Sequence, residues 1–263
     1  MQKHREQYTA RYNEMGIDKH MRLQCLCNYL EEAAGVHAMS LGVGTDRLAG
    51  DGLAWVMTKL RLRLLGPLPK AGETFTVETW PVTIERVQFR RDFMVADPSG
   101  RPLAAAVTQW VVINLEKRKV ERLPFYIAEL QPENPEFALE DADIRIPLPA
   151  DPVPASPSFP VRLADIDQNR HVNNGRYIDF ILEAAHAAGM RGTLRQMDLV
   201  FRAEGLLGDT IGTATGVEEE SGLIQLTHCL FRQKDGQELT RGRTLWVDSL
   251  PLLPSITPLP CSP

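Results

Sequence analysis

At 263 residues, with 43% hydrophobic and 24% charged side chains, the chain has the size and composition of one large folded domain or two modest ones. A formal charge of −5 argues against general nucleic-acid binding, although local basic patches remain possible. No apolar run reaches membrane-spanning length, and M-Q-K-H-R-E-Q at the start lacks the apolar core of a signal peptide. Cys25 and Cys27 lie in a helical pattern, and with Cys229 and Cys261 they form no second pair at zinc-ligand spacing. Free thiols in a reducing compartment, and no metal, are expected.

Taken in order, the chain first shows a helical pattern over about Leu23–Met39. Trp55–Leu65 then alternates apolar and polar residues, as a strand with one wet face does. Thr74–Trp80, Phe89–Ala96 and Leu103–Leu115 read as further strands, the last two joined by a turn at Asp97–Gly100. The proline- and acid-rich Gln131–Pro160 reads as a linker crossing the surface. Asp165–Asn174 is crowded with polar groups and makes a poor helix interior. Directly after it, Tyr177, Ile178, Ile181, Leu182 and Ala185 fall on one helical stripe. Asn173 and Asn174 are candidate N-caps, Gly175 lets the chain turn in, and Gly189 is a stop. A polar loop therefore feeds the positive end of a buried helix, which can polarise a carbonyl or hold an oxyanion. Strands over Gln196–Ala203, Thr210–Glu218, Leu223–Gln233 and Leu239–Val247 follow, and the proline-rich Pro251–Pro263 is expected to be extended or disordered.

The chain also repeats itself. Without a gap, Arg11, His20 and Glu32-Ala33-Ala34 align with Arg162, His171 and Glu183-Ala184-Ala185. In a second gapless register, Gly72, Gly100 and Trp110 align with Gly208, Gly236 and Trp246. The registers differ by an insertion between Ala34 and Gly72, whose glycine-rich Val43–Gly52 suits a mobile flap. Together they indicate duplication of one unit: a first strand, one long helix, then several strands. One helix per antiparallel sheet must lie across that sheet to bury its stripe, so the class is α+β. The expected division is a first unit at 1–130, a linker at 131–160, a second unit at 161–250 and a tail at 251–263.

D-I-D-Q-N-R-H-V-N-N-G-R-Y-I at Asp165–Ile178, with F-R-A-E-G-L-L-G-D-T at Phe201–Thr210, resembles the acyl-ACP thioesterases. N-Y-L-E-E-A-A-G-V-H-A at Asn28–Ala38, L-A-W-V-M-T-K-L at Leu53–Leu60, V-E-T-W-P at Val77–Pro81 and R-R-D-F from Arg90 agree, so the resemblance spans about Tyr8 to Val247. It implies a tandem (double) hotdog, two antiparallel sheets each wrapped around a long central helix. It also implies hydrolysis, without a cofactor, of the thioester between a fatty acyl chain and the phosphopantetheine arm of acyl carrier protein. The family's polar site falls on Asp167, Asn169, His171 and Glu204. Plastid members carry a transit peptide; none is visible, so a bacterial cytoplasmic member is expected. Many plant members have Cys directly after the Glu of the last motif. Here that position is Gly205, which favours attack by water over an acyl-cysteine there.

Thioester hydrolysis needs an activated nucleophile and stabilisation of the charge that develops on the carbonyl oxygen. Glu204, alone or with His171, is the candidate to orient and deprotonate a water. Backbone N–H groups near Asn173, Asn174 and Gly175, with the Asn169 amide, would hold the oxygen, and Asp167 would fix the loop or act as an alternative base. Asp167 and Glu204 fall on Gly16 and Leu68 in the first copy, so the fold demands neither carboxylate; Asp165 falls on Glu14 and reads as structural. The first unit is then the specificity half, with Trp55, Met57, Met39 and Leu41 as candidate walls of an acyl tunnel. Lys59/Arg61/Arg63, Arg86/Arg90/Arg91 and Lys117/Arg118/Lys119 are candidate docking patches for an acidic carrier protein. Alternatives are an acyl-CoA thioesterase using Asp167, a non-catalytic acyl-binding protein, and a hotdog dehydratase. Monomer and homodimer both stay open, because tandem units can satisfy internally the pairing of single hotdogs.

Overall fold

The computed structural model describes residues 3–140, 144–153, 156–220 and 222–247; the tail expected at Pro251–Pro263 lies outside the described residues. The first unit opens with strand β1 (His4–Thr9), helix α1 (Leu23–Ser40) and a short helix α2 (Thr45–Gly50). Strands β2 (Leu53–Leu64), β3 (Thr74–Ile84), β4 (Phe89–Ala96), β5 (Pro102–Asn114) and β6 (Lys119–Glu121) follow, then one helical turn, α3 (Phe125–Ala128). The second unit runs β7 (Ser158–Pro160), α4 (Asn174–Ala187), β8 (Thr193–Phe201), β9 (Thr210–Glu220), β10 (Leu223–Arg232) and β11 (Glu238–Val247).

The approach to each long helix is built twice on one plan. The residue ahead of a 3-10 turn donates its backbone N–H to the carboxylate three positions on: Arg11 to Glu14 at 2.8 Å, Arg162 to Asp165 at 2.9 Å. This satisfies a donor that the turn would otherwise leave open. A hairpin-like loop then closes, with the Gly16 N–H donating to His20 O at 2.7 Å and the Asp167 N–H to His171 O at 2.9 Å. Lys19 and Arg170 at the loop tips share a left-handed φ of 65° and 67°. Further on, the indoles of Trp110 and Trp246 each donate to the threonine two residues before, both at 2.8 Å.

Among the described residues, eleven strands make one sheet in the order β1-β3-β4-β5-β2-β8-β11-β10-β9-β7, with β6 beside β5. The two antiparallel sheets meet edge to edge, β2 pairing antiparallel with β8 from Lys59↔Val200 to Arg63↔Gln196. A single apolar core runs beneath both helices, through Leu26, Leu30, Phe75 and Phe93 to Tyr177, Ile181, Leu199 and Leu230. Each such side chain contributes about 1.5–3 kcal/mol on leaving water. The segment between the units is pinned across the outer face of the sheet. Trp80 donates its indole N–H to Glu136 O at 2.7 Å, Ala138 its N–H to Asp92 at 2.8 Å, and Arg241 reaches Ile146 O at 3.0 Å.

Two expectations change. The glycine-rich insertion is no loose flap: it folds into α2, with Val43 and Leu48 buried beneath it, because those two side chains give the segment a core of its own. The basic strand faces are partly consumed inside the molecule: Arg61, Arg90 and Arg91 are buried, whereas Arg63 and Arg86 are exposed. Arg61 forks onto Asp198, with Nε–Oδ1 at 2.8 Å and Nη2–Oδ2 at 3.1 Å, and both side chains are buried. Arg243 reaches the same carboxylate at 2.5 Å, and Arg63 donates to Gln196 at 3.0 and 3.1 Å. Arg90 is buried on Asp92, and Arg91 on His37 and Thr79.

Asp198→Ala leaves Arg61 and Arg243 together without their shared counter-charge. Removing one partner of a buried pair costs about 3–5 kcal/mol. The expected result is a lower urea midpoint with an unchanged slope; an unmoved midpoint would show that the junction does not depend on this pair.

Candidate active site

The loop before α4 is held by its own carboxylate. Asp167 Oδ1 accepts the backbone N–H of Asn169 at 2.8 Å and of His171 at 3.3 Å. Asn169 sits at the exposed tip of the turn and His171 is half-buried behind it. The His171 ring faces the end of β8, where its Nε2 lies 3.1 Å from Glu204 Oε2. The backbone beside Glu204 is anchored through Gly205: its N–H donates to Tyr177 Oη at 3.0 Å, and the Val172 N–H donates to Gly205 O at 2.9 Å. A Cβ at Gly205 would stand 3.0 Å from both Tyr177 Oη and Val172 Cγ2, so the close packing of loop on strand end suits glycine.

The other half of this cluster comes from the first unit. Arg118, in the β5–β6 turn, brings Nη2 to 2.7 Å from Glu204 Oε2. The turn is shaped by Asn114, whose side-chain oxygen accepts the N–H groups of Glu116 at 3.1 Å and Lys117 at 2.9 Å. Arg118 takes a left-handed φ of 54° there. Of the three basic patches, Lys117-Arg118-Lys119 is the one that stays wholly exposed, and it stands beside Glu204.

The helix start does several jobs at once. Asn173 is the N-cap, its Oδ1 accepting the Gly175 N–H at 2.8 Å, so that donor is already engaged. Gly175 is buried where α1 passes close by: a Cβ on it would lie 3.1 Å from Gln24 Cγ and 3.3 Å from Asn28 Oδ1. Its lack of a side chain serves helix–helix approach. Beside it, Asp167 and Asn173 line an open polar cavity of about 400 Å³ together with Gln24, Asn28, Glu31 and Arg176. The Glu31 carboxyl is pushed up to about 7, chiefly by burial; hydrogen bonding with Asn174 works against the rise and the Asp167 charge adds to it.

The four residues expected to wall a tunnel do not meet. Met57 lines a narrow apolar seam under α1 with Cys27, Leu30, Leu60, Phe93 and Trp110, closed down to about 10 Å³. Trp55 and Leu41 belong to a separate cluster around Val43, Leu48 and Phe89, where the Trp55 indole donates to Val43 O at 2.9 Å. Met39, on the last turn of α1, is 63% exposed. The insertion that forms α2 draws Trp55 and Leu41 away from the seam.

Sequence reasoning missed Arg118 as a partner of Glu204, since nothing local ties one unit's turn to the other's strand end. It also missed Glu31, for which a signal exists: in the repeat it falls on Leu182, so a carboxyl stands where the second copy has an apolar side chain. Cys25, Cys27 and Cys229 are free and buried, and burial pushes each thiol up. Among the described residues there is no cluster of metal-ligating side chains, and no helix is long and apolar enough to cross a membrane.

Comparison with known proteins gives the family and the fold. The model of the acyl-ACP thioesterase N-terminal domain matches residues 1–130, and that of the C-terminal domain residues 151–248. The chloroplastic oleoyl-acyl carrier protein thioesterase 1 of Arabidopsis thaliana is 28% identical over 92% of this chain and 75% of its own length. The palmitoyl-acyl carrier protein thioesterase of the same plant is 28% identical over 94% of this chain, which spans 64% of that relative. An acyl-ACP thioesterase from Bacteroides thetaiotaomicron superposes with a TM-score of 0.78 at 25% identity, over 93% of this chain and 97% of the other. The 12:0-ACP thioesterase from Umbellularia californica shares the fold, with a TM-score of 0.81 at 24% identity over 94% of both chains. The chain belongs to the acyl-ACP thioesterase family and is a thioester hydrolase with a hotdog fold.

Proposed function

We propose that the chain hydrolyses fatty acyl-acyl carrier protein to free fatty acid and the carrier's thiol, with His171 and Glu204 activating the attacking water. The observation that carries this reading is the 3.1 Å contact between His171 Nε2 and Glu204 Oε2. It joins two segments at a helix start, and in the first copy the corresponding pair is His20 and Leu68. A water held against the pair loses its proton to the carboxylate or the imidazole as its oxygen attacks the thioester carbon. Arg118 fixes Glu204 through the same oxygen. Asp167 acts by holding the backbone of Asn169 and His171 in place.

The oxyanion is met by the start of α4. Asn173 already occupies the Gly175 N–H, which leaves the N–H of Asn174, at the first helical position, as a helix-opening donor. The Asn169 amide at the loop tip is the second candidate donor. When the carbonyl re-forms, the pantetheine sulfur departs as a thiolate, stable enough to need no strong general acid. The acyl chain is read as entering the seam lined by Met57, Cys27 and Leu30. Lys117, Arg118 and Lys119 form the exposed basic turn against which an acidic carrier protein would dock. The site therefore draws on both units.

Thiol release from acyl-acyl carrier protein is the direct assay. Glu204→Gln and His171→Ala are each expected to lower kcat by about 10²–10⁴, the usual worth of a positioned proton acceptor. Undiminished turnover in Glu204→Gln would remove the carboxylate from the mechanism.

A second experiment addresses the carrier. Lys117→Glu with Lys119→Glu is expected to raise KM for acyl-acyl carrier protein several-fold, most steeply at low salt. Hydrolysis of a short acyl-pantetheine should be unchanged. Equal loss on both substrates would place these lysines in the chemistry instead, and faster release from acyl-CoA than from the carrier would favour the acyl-CoA reading.

A further inference from the structure

Glu31 is not explained by the fold. Its counterpart in the second copy is Leu182, which packs against the core as an ordinary apolar side chain. The same place on a helix can thus be filled without a carboxyl, and burying one without a counter-charge costs free energy. Glu31 also stands at a boundary. It lines the polar cavity with Asn28, Asp167 and Asn173, and it lines the apolar seam with Leu30 and Met57. It is the residue common to both.

We propose that Glu31 works as a carboxylic acid, a hydrogen-bond donor that the first unit extends to the acyl thioester where it passes from the polar cavity into the apolar seam. This rests on the thioesterase reading above. Besides burial, the Asp167 carboxylate, facing Glu31 from the loop, disfavours its ionised form, while the hydrogen bond with Asn174 works the other way and is outweighed. Glu32 and the buried Cys27 thiol share its helix, and Asp179 lies on α4. Among the described residues, the cation lining the cavity is Arg176, which is engaged by Asp165 at 3.4 Å and by Asp179 at 3.1 Å. The strands contribute Met57, Leu60, Phe93, Thr108 and Trp110, none of them charged. With its acidity lowered to about 7, Glu31 is protonated below neutrality and loses the donor as pH rises through that value. The His171–Glu204 pair already supplies a base, so a second carboxylate is not what this corner of the site lacks.

Glu31→Gln keeps a donor of the same shape and cannot ionise; Glu31→Leu copies the second unit. Thiol release from an acyl-pantetheine and from acyl-acyl carrier protein would be followed from pH 6 to 9. The ratio of kcat/KM, Glu31→Gln over wild type, should be near one at pH 6 and rise to about tenfold at pH 8, as a group titrating near 7 requires. Glu31→Leu should lose at least about tenfold at pH 6, where melting temperatures of all three proteins show whether they are equally folded. A ratio that stays flat across the range overturns the proposal. So does a Glu31→Gln protein as impaired at pH 6 as Glu31→Leu, because the carboxylate would then be the active form. Wild type that releases no thiol from any acyl thioester sinks the hydrolase reading and this one with it, whereas an active wild type with a flat ratio sinks only this one.

Discussion

Arg61 and Asp198 face each other in the middle of the five-residue stretch where β2 pairs with β8. They are also counterparts in the duplication. Trp110 pairs with Met57 and Trp246 with Leu194; each ladder then skips one residue, so that Lys59 corresponds to Gln196 and Arg61 to Asp198. Two identical chains meeting about a two-fold axis here would set like against like, with two guanidiniums or two carboxylates buried together. Within one chain the two copies are free to differ, and the contact becomes a bidentate pair of opposite charge. Such a pair adds little net stability compared with apolar residues of the same volume. Its effect is on register: a slip of one residue would break it and turn Leu60 and Leu62 out of the core. Pairing also removes an open edge from each half of the sheet.

Once that edge contact is set, the two long helices lie side by side and the rest of the site follows. Their starts approach closely enough that a Cβ on Gly175 would crowd Gln24 and Asn28 at 3.1 and 3.3 Å. The loop before α4 consequently opens beside the flank of α1, which puts Asp167 and Asn174 against Glu31. The β5–β6 turn of the first unit swings Arg118 onto Glu204 at the end of β8. Divergence between the copies is therefore complementary. The second keeps Asp167 and Glu204 where the first has Gly16 and Leu68, and the first keeps Glu31 where the second has Leu182.

Much of this was legible because it is local. Helix and strand periods gave the elements, and two gapless alignments gave the repeat, down to loop hydrogen bonds that recur in both copies. The polar loop before α4 announced itself through residues unsuited to a helix interior. What stayed hidden depends on contacts distant in sequence. Alternation correctly put Lys59, Arg61 and Arg63 on one face of a strand but carries no information on what covers that face, so a buried junction looked like a docking surface. The glycines of the insertion suggested mobility, yet Val43 and Leu48 had a cluster to fill. Arg118 read as one member of a charged run until the second unit brought Glu204 to it. Met39 had the right chemistry for a tunnel wall and the wrong position on its helix.

The contrast between a seam of about 10 Å³ and a neighbouring cavity of about 400 Å³ constrains how an acyl chain can be accommodated. Helix α1 cannot simply lift away from the sheet, because it is tied at both ends. Near its start, the Tyr29 ring stands edge-on to Phe75 of β3 with centroids 5.2 Å apart, and the Met21 N–H just ahead of the helix donates to Pro69 O at 2.9 Å. Near its end, His37 sits 3.0 Å from the buried Arg91 guanidinium, its ring held neutral because burial first and then Arg91 press its pKa down to about 4. Neutral, that ring accepts from Arg91; protonated, it would repel it. With the helix anchored, room for a chain has to come from side chains between the ties, and these are suited to giving way. Met57 is the most adaptable of them, its unbranched thioether having more rotamers to choose from than the branched Leu30. The seam is thus better described as a repackable part of the core than as a preformed tunnel; on the proposed reading, the length of chain it would admit depends on how far those side chains move before the two ties resist.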